Sequence, residues 1–305
     1  MKRLFVVYNP RSSRYSDVQK EVLNKLPKLK GFIIGKYEVQ PTSVDDNVTK
    51  FAKLLKNGDL VISAGGDATG VICANAILNS NKEATLAVLP YGNFNDLSHT
   101  LGTATLEDII TDTPNSHSEL KLYPLDIIID GHHWRYATCY ITIGMMGEAV
   151  KLYDTPKLRR KLKTNFGRKV GSYTALIGWY FKNRHKKVFL PAFKLNGKKT
   201  PNKTSDYAAV NGKYMARVMK GGKDYLSPTI FRSEIDRLTN FWRLFKLMAK
   251  SILRRVPGSE TSGDVLEFLA PATVEIQAEG EYQVFENIRK IEIRKGPKCL
   301  KVIQK

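Results

Sequence analysis

Residues 63–69 read Ser-Ala-Gly-Gly-Asp-Ala-Thr and stand where a short apolar run gives way to a helical pattern. Ligands of open α/β sheets bind at the carboxyl ends of strands, and helix N-termini bind phosphate oxygens through backbone N–H groups. Glycine lets the backbone approach such an oxygen because it has no Cβ. We expect Asp67 to hold Mg²⁺ or orient the phosphates, and Thr69 to cap the helix and supply a hydroxyl. The pattern alone also fits a plain strand-to-helix turn.

A second turn of the same kind lies at residues 90–96, Pro-Tyr-Gly-Asn-Phe-Asn-Asp, directly after the apolar run 86–89. Gly92 again permits a close approach, while the amides of Asn93 and Asn95 suit a ribose or a phosphate. No Gly-Lys-Ser/Thr follows the glycines of the first turn, so it is not a Walker loop. Two such turns at neighbouring strand ends indicate a phosphate-binding edge more strongly than one turn does.

Two carboxylates near the C-terminus, Glu279 and Glu281, flank Gly280 after the apolar run 274–278. Residues two apart point to the same side of an extended segment. Repulsion between two close carboxylates raises the pKa of one of them toward the range that suits a general base. An exposed acidic turn is the alternative, and the residues alone favour it.

The surrounding elements predict two domains. Strand and helix patterns alternate up to residue 124, which indicates an open parallel α/β sheet. Beyond it, β-branched and aromatic runs with Asp-Gly and Asn-Gly turns predict a β-rich, sandwich-like domain interrupted by helices at about 157–182 and 235–254. The expected boundaries are 1–124 plus about 290–305 for the first domain, and 125–289 for the second. The predicted strands are 4–8, 31–35, 59–64, 85–89, 125–130, 134–143, 187–195, 207–219 and 273–278, and the predicted helices of the first domain are 17–26, 45–57, 69–78 and one from about 95.

Composition limits the class of protein. The chain has 305 residues, 42% of them hydrophobic, and no apolar run long enough for a signal peptide or a membrane span, so we expect a cytoplasmic protein. Three scattered cysteines indicate neither a disulfide framework nor a thiolate metal site. The net charge of +20 favours a polyanionic partner: nucleic acid, nucleotide phosphates or an anionic membrane.

Taken together, the Gly-Gly-Asp-x-Thr turn and the Pro-x-Gly-x-x-Asn-Asp turn resemble the diacylglycerol kinase catalytic-domain family, which includes sphingosine kinases and bacterial lipid kinases. Residues 6–10, Val-Val-Tyr-Asn-Pro, are similar to that family's first strand and turn, and Glu279-Gly280-Glu281 stands where the family has Asp-Gly-Glu. The resemblance implies a lipid kinase of phospholipid metabolism that uses ATP and Mg²⁺, with an ATP-binding first domain and a lipid-acceptor second domain.

The resemblance also implies roles for individual residues. Glu281 would accept the proton of the lipid hydroxyl, and Asp67 and Glu279 would complete the catalytic group. Nucleotide contacts would come from Asn9, Thr42, Ala64, Gly65, Gly66, Asp67, Ala68, Thr69, Gly92, Asn93 and Asn95. Ala68 replaces a glycine of the family and would be strained if its φ were positive. The family's Asp-Gly-x-Leu-Asp segment is not recognisable, so no structural metal is assigned.

The positive charge suits a lipid acceptor. Residues 151–187 carry twelve Lys or Arg against one acid, and residues 237–255 mix six Lys or Arg with Phe241, Trp242, Phe245 and Met248. Basic helices with aromatic faces bind anionic lipid interfaces, so we expect peripheral membrane contact; the alternative is that the aromatic residues belong to the core. A homodimer is left open. The competing functions are a kinase of the NAD kinase type and a non-enzymatic nucleotide- or nucleic-acid-binding protein.

Overall fold

The computed structural model describes residues 2–92, 95–111, 118–148, 170, 173–174, 177–182, 190–200, 204–215, 219–220, 229–236, 241–252, 256 and 258–305. The chain divides into two compact units, one of residues 1–124 and 297–305 and the other of residues 125–296. Within the described ranges, no helix has both the length and the apolar character needed to cross a membrane.

The first unit is built on a mainly parallel sheet. Its strands are β1 (Lys2–Tyr8), β2 (Phe32–Glu38), β3 (Asp59–Gly65), β4 (Ala84–Pro90), β5 (Ser118–Leu122) and the last strand of the chain, β18 (Leu300–Gln304). Among the described residues these six strands lie in the order β2-β1-β3-β4-β18-β5. All neighbours are parallel except β5, which pairs with β18 in the antiparallel sense. The prediction of an open parallel α/β sheet is confirmed.

Helices lie between these strands along the chain. They are α1 (Tyr15–Val18), α2 (Val44–Ala52), α3 (Asp67–Ser80), α4 (Asp96–Leu101) and α5 (Leu106–Ile110). The predicted helix 17–26 is instead α1 followed by a π-helical turn, Gln19–Leu23, and a 3₁₀ turn, Leu26–Lys28. Ser43 rather than Asp45 caps α2, because the Ser43 Oγ accepts the Asp46 N–H at 3.1 Å.

The core of the first unit holds the end of β3 and the start of α3 in place. Apolar side chains of β1, β3 and β4 form a core together with α1, the π-helical turn and α5. The helix α3 is buried at every position from Thr69 to Leu78, which places it deep within the unit. A strand and a helix that are both buried leave the turn between them little freedom, so the turn at Gly65 and Gly66 is held in place from both sides.

The second unit is β-rich and antiparallel. Its strands are β6 (Leu125–Ile129), β7 (His132–Ala137), β8 (Tyr140–Gly144), β9 (Phe193–Leu195), β10 (Lys198–Lys199), β11 (Thr204–Val210), β12 (Tyr214–Met215), β13 (Met219–Lys220), β14 (Ile230–Asp236), β15 (Ser259–Thr261), β16 (Gly263–Ala278) and β17 (Glu281–Lys295). In the described part of the unit, ten of them form one sheet, in which β16 pairs with β17, β8 and β9. The predicted combination of a parallel α/β domain with a β-rich one is confirmed.

Several predicted elements of this unit differ from the structure. The predicted strand 134–143 is two strands, β7 and β8, because the chain turns at Thr138 and Cys139. The predicted strand 207–219 begins at Thr204 and its regular part ends at Val210. The predicted helix 235–254 begins later, since Ile235 belongs to β14 and the helix α6 spans Phe241–Ile252. Most of the predicted helix 157–182 lies outside the described residues, although residues 177–182 are helical.

Two apolar clusters hold the described part of the second unit together. The larger one fills one face of the sheet with side chains from β6, β8, β11, β16 and β17. The smaller one joins Met145, Trp179 and Ile235 to Leu244 and Leu247 of α6. The helix α6 is therefore anchored by its inner face.

Candidate functional site

Four parallel strands of the first unit end at the same edge of the sheet. Tyr8, Glu38, Gly65 and Pro90 are the last residues of β1, β2, β3 and β4. The segments that follow carry all the predicted nucleotide contacts, apart from Ala64 and Gly65, which lie within β3 itself. The carboxyl edge of an open parallel sheet is where such folds bind ligands. The residues predicted to contact the nucleotide therefore lie along one edge of the sheet.

The first turn leads straight from β3 into α3. Gly66 is the residue before the helix, in an extended conformation, and no side chain caps the helix there. The expectation that Thr69 caps α3 is wrong, because Thr69 is the third helical residue and is buried. A Cβ on Gly65 would fall 2.3 Å from the Thr69 Oγ1, so the threonine hydroxyl takes the space that glycine leaves.

The second turn packs directly on the first. The Tyr91 N–H donates to the carbonyl oxygen of Gly65 at 3.1 Å. A Cβ built on Gly92 would lie 2.2 Å from the Gly66 Cα, closer than any side chain permits. The two glycine turns are thus in backbone contact, as their places on the adjacent strands β3 and β4 suggested.

Asp67 joins the two turns through its side chain. Its Oδ2 accepts the backbone N–H of Asn95 at 2.9 Å, and its Oδ1 accepts that of Asp96 at 2.7 Å. These groups open α4, so a carboxylate from the first turn sits at the positive end of the helix in the second turn. Nothing in the local sequence signals this arrangement, because the partners lie 28 and 29 residues apart.

Asn95 stabilises its own turn. Its backbone is left-handed, with φ 55°, a conformation that asparagine tolerates better than most residues. Its Oδ1 accepts the Gly92 N–H at 2.6 Å, and its Nδ2 donates to the Gly92 carbonyl oxygen at 2.9 Å. The Asn95 amide, which we expected to suit a ribose or a phosphate, is used to fold the turn. Asn93, also a predicted contact, lies outside the described residues.

The loop after β1 reaches the second turn. The Asn9 Oδ1 accepts the Arg11 N–H at 2.9 Å and so shapes the loop. The Ser12 hydroxyl donates to the Tyr91 carbonyl oxygen at 3.2 Å, and Arg14 donates to the carbonyl that ends β4 at 2.9 Å while its guanidinium lies over the Tyr91 ring. Sequence reasoning missed Ser12 and Arg14. The only available signal was two arginines closely following Asn-Pro.

Thr42 and Ala68 complete the predicted set. Thr42 is exposed and its Oγ1 accepts the Asn47 Nδ2 at 3.1 Å. Ala68 is the second residue of α3 and is not among the described residues with positive φ. Alanine is therefore accommodated there without left-handed strain.

The acidic turn of the second unit differs from the expected extended segment. Glu279 has φ 52° and Gly280 φ 91°, and Ala278 pairs with Glu281 across a two-residue hairpin. The expectation that both carboxylates lie on one side of an extended segment is wrong, because this turn reverses the chain between β16 and β17.

The two carboxylates also have different surroundings. Glu279 is only 4% exposed, and its Oε1 accepts the Thr138 hydroxyl at 2.7 Å and the Cys139 N–H. These two hydrogen bonds join the hairpin to the turn between β7 and β8. Glu281 is half-buried at the first position of β17. Glu279 thus has the contacts of a structural group.

The sequence of the first unit matches a known protein family. Residues 3–122 match the family model of the diacylglycerol kinase catalytic domain. The matched residues make up most of the first unit. The predicted resemblance to that family is confirmed, and the catalytic-domain match covers β1 through β5 with both glycine turns.

Curated relatives carry the same family name. The chain is 30% identical over 176 residues to a diacylglycerol kinase of Staphylococcus saprophyticus, covering 54% of this chain and 51% of that protein. It is 32% identical over 173 residues to a diacylglycerol kinase of Bacillus subtilis, covering 55% of this chain and 52% of that protein. The chain thus spans about half the length of the curated relatives it matches.

A solved structure extends the likeness in fold to the whole chain. A crystal structure described as a diacylglycerol kinase from Bacillus anthracis aligns with a TM-score of 0.60 at 17% identity, covering 100% of this chain and 97% of that one. At this identity the likeness concerns the fold.

Proposed function

We propose that this protein is an ATP-dependent lipid kinase that phosphorylates the hydroxyl of a lipid such as diacylglycerol. The observation that carries the proposal is the backbone contact between Gly66 and Gly92 at the carboxyl edge of a diacylglycerol kinase catalytic domain. The names of the curated relatives supply the acceptor class. In this proposal the first unit binds ATP and the second unit binds the lipid.

The first turn has the features of a phosphate site. The 14-residue helix α3 begins without a side-chain cap, and the first N–H groups of a helix have no partner within the helix. Such an end binds anionic oxygens through hydrogen bonds and the helix dipole. A Cβ on Gly66 would come within 3.2 Å of the Gly92 Cα, so glycine keeps the backbone at this point bare. Arg11 in the loop after β1 adds positive charge that favours a polyphosphate, whereas the charge of Arg14 is offset by its ion pair with Asp17.

Magnesium belongs to the proposal as the ion that neutralises charge on the phosphate oxygens. Mg²⁺ in kinases is usually held by one or two carboxylates together with the phosphates of the substrate. Asp67 is the carboxylate at the turn, and each of its oxygens already accepts one backbone N–H. In this proposal Asp67 would also contact the ion, while its hydrogen bonds position α4. Among the described residues, no group of three or more His, Cys, Asp or Glu is arranged to hold a metal.

Glu281 is the proposed general base. As the acceptor oxygen bonds to phosphorus and the bond to the leaving ADP oxygen breaks, the hydroxyl proton passes to the Glu281 carboxylate. Glu279 is committed to Thr138 and Cys139, which favours Glu281 over Glu279 for this role. Glu279 then acts as a positioning residue for the hairpin.

A label-transfer experiment tests the proposal. Radiolabelled ATP with Mg²⁺ is incubated with a total lipid extract and then with purified diacylglycerol in mixed micelles. We expect labelled lipid from the wild type, none from Glu281→Ala, and unchanged label from the exposed control Glu286→Ala. A folded wild type that labels no lipid would overturn the proposal, and label in NAD would replace it with a kinase of the NAD type.

A further inference from the structure

The helix α6 carries apolar side chains on two opposite faces. At 100° per residue, Leu244 and Leu247 point to one side, while Trp242 and Phe245 point to the other. Leu244 is fully buried and Leu247 nearly so, in the cluster with Met145, Trp179 and Ile235. The contact that anchors α6 is thus complete without the two aromatic residues.

Trp242 and Phe245 form an exposed aromatic pair. Trp242 is 76% exposed and Phe245 54% exposed. Their ring centroids are 6.2 Å apart with an interplanar angle of 84°, the edge-to-face arrangement that aromatic rings prefer. Two large aromatic rings exposed together on one face of a helix make that face a candidate interaction surface. The alternative that these two aromatic residues belong to the core is therefore wrong.

The charged residues of α6 itself have one sign. Arg243 and Lys246 are exposed next to Trp242 and Phe245, Lys250 lies one turn further on, and the α6 sequence contains no acidic residue. The chain as a whole carries a net charge of +20. A partner that fits this surface offers anionic groups to the basic residues and an apolar region, below those groups, to the aromatic rings.

We propose that α6 docks the protein on an anionic lipid bilayer, with Trp242 and Phe245 entering the interface and Arg243 and Lys246 contacting the headgroups. Tryptophan and phenylalanine partition into the interfacial region, and basic residues near it are attracted by anionic lipid. The rings project from a convex helix, which a bilayer surface accepts, whereas stacking on nucleic-acid bases uses a positively charged groove. The inference rests on the proposed function in one respect, since it names the surface where the lipid acceptor is met.

Vesicle cosedimentation tests the docking surface without catalysis. The full chain is mixed with vesicles of phosphatidylcholine alone or with added phosphatidylglycerol. We expect binding to the anionic vesicles that weakens with salt, and at least about tenfold weaker binding for the double variant Trp242→Ala/Phe245→Ala. The matched control Ile33→Ala/Leu54→Ala removes two exposed apolar side chains of the first unit and should bind like the wild type. Equal binding by the aromatic double variant and the wild type would refute the proposal, as would equal binding to neutral vesicles.

Tryptophan emission provides a second measurement. Entry of Trp242 into the interface should shift wild-type emission to the blue on anionic vesicles. Trp242→Phe should keep most of the vesicle binding and lose most of that shift. Because both side chains are exposed, the thermal midpoint of the double variant should match that of the wild type. A blue shift that persists in Trp242→Phe would contradict insertion at this position.

Other outcomes of these experiments would indicate a different partner for the aromatic pair, or would contradict the kinase proposal alone. If the double variant changes sedimentation of the protein alone and not vesicle binding, the surface joins two copies of the chain and the bilayer proposal fails. It also fails if single-stranded oligonucleotide binding, but not vesicle binding, depends on Trp242 and Phe245. If the vesicles are bound as expected and no lipid is ever phosphorylated, the proposed function fails while the docking surface stands.

Discussion

Gly66 and Gly92 meet through bare backbone, since a Cβ on Gly92 would fall 2.2 Å from the Gly66 Cα. The contact joins the turn after β3 to the turn after β4. Asp67 reinforces it by accepting the first N–H groups of α4. Two segments that are distant in sequence are thereby fixed as one surface, and the proposed phosphate site depends on that rigidity.

Gly92→Ala should disrupt this contact. The added methyl group cannot avoid the Gly66 backbone without moving one turn, and overpacking of this kind typically costs about 1–3 kcal/mol. We expect a lower free energy of unfolding in urea and a higher KM for ATP, because the displaced turn includes the proposed phosphate-binding backbone.

Gly70→Ala is the matched control for that variant. A Cβ on Gly70 would meet only the Leu97 Cδ2, at the ordinary contact distance of 3.9 Å, and Gly70 lies inside α3. Alanine favours a helix by up to about 1 kcal/mol over glycine, so this variant should be as stable as the wild type or more so. Equal ATP KM for Gly92→Ala and Gly70→Ala would show that the contact between the turns does not matter for the nucleotide.

Asp67→Ala should lower stability as well as activity. The substitution removes a charged acceptor from two backbone N–H groups at the start of α4, and a hydrogen bond to a charged group contributes about 1.5–3 kcal/mol. We expect a lower urea midpoint measured without nucleotide. An unchanged midpoint with lost turnover would assign Asp67 to magnesium alone and contradict its role in positioning α4.

The sequence predicted which turns lie at the carboxyl edge of the sheet, but it did not predict the hydrogen bonds that join those turns. The buried strands β3 and β4 and the glycine turns that follow them carry their own local signal, because strand ends and glycine turns are encoded by adjacent residues. The bond from Asp67 to Asn95 has no such signal, since it depends on how β3 and β4 align. Thr69 was misassigned for a different reason: a threonine that caps a helix and a threonine buried in its first turn give the same local sequence pattern.

The second unit shows the same limit at Glu279. A run of β-forming residues predicted one strand over 134–143, yet the chain turns at Thr138 and Cys139, whose hydroxyl and N–H donate to Glu279. That carboxylate comes from a hairpin 140 residues away in sequence. Local propensity does not encode a turn that depends on a distant buried acceptor.

Glu279 and Glu281 should respond differently to substitution. Glu279→Ala leaves the Thr138 hydroxyl and the Cys139 N–H without their buried acceptor, so stability should fall by about 2–4 kcal/mol. Glu281→Ala removes a half-buried side chain at a strand end and should change the urea midpoint little while abolishing turnover. Calorimetry and label transfer on both variants separate the two roles. Retained turnover in Glu281→Ala would remove this residue from the proposed mechanism.

Asp206→Asn should change how stability depends on pH. Burial raises the pKa of Asp206 well above its ordinary value of 3.8. The folded protein therefore holds this proton after the unfolded protein has lost it, so stability falls as pH rises from about 3.8 toward the folded-state pKa. Asparagine cannot ionise and keeps an acceptor for the Met146 N–H. The stability gain of the variant over the wild type should grow with pH in urea titrations, and a gain independent of pH would contradict the buried titration.

Asp108→Asn is a control for which the pKa shift, and so the pH dependence of stability, has the opposite sign to that of Asp206. A hydrogen bond from the Lys305 ammonium, together with bonds from Thr105, lowers the pKa of Asp108 to about 2. Its contribution is present above about 3.8 and is lost as pH falls toward about 2. The variant should therefore be slightly less stable than the wild type near neutral pH and equal to it near pH 2.

The two faces of α6 should differ sharply in their effect on folding. Leu244 is fully buried against Met145, Trp179 and Ile235, and truncation of a buried leucine to alanine costs about 2–5 kcal/mol. Trp242 is 76% exposed, so Trp242→Ala should leave the free energy of unfolding within about 0.5 kcal/mol of the wild type. Urea titrations of both variants test the assignment of the faces. A large loss of stability in Trp242→Ala would mean that the ring packs within the fold, and it could not then be offered to a bilayer.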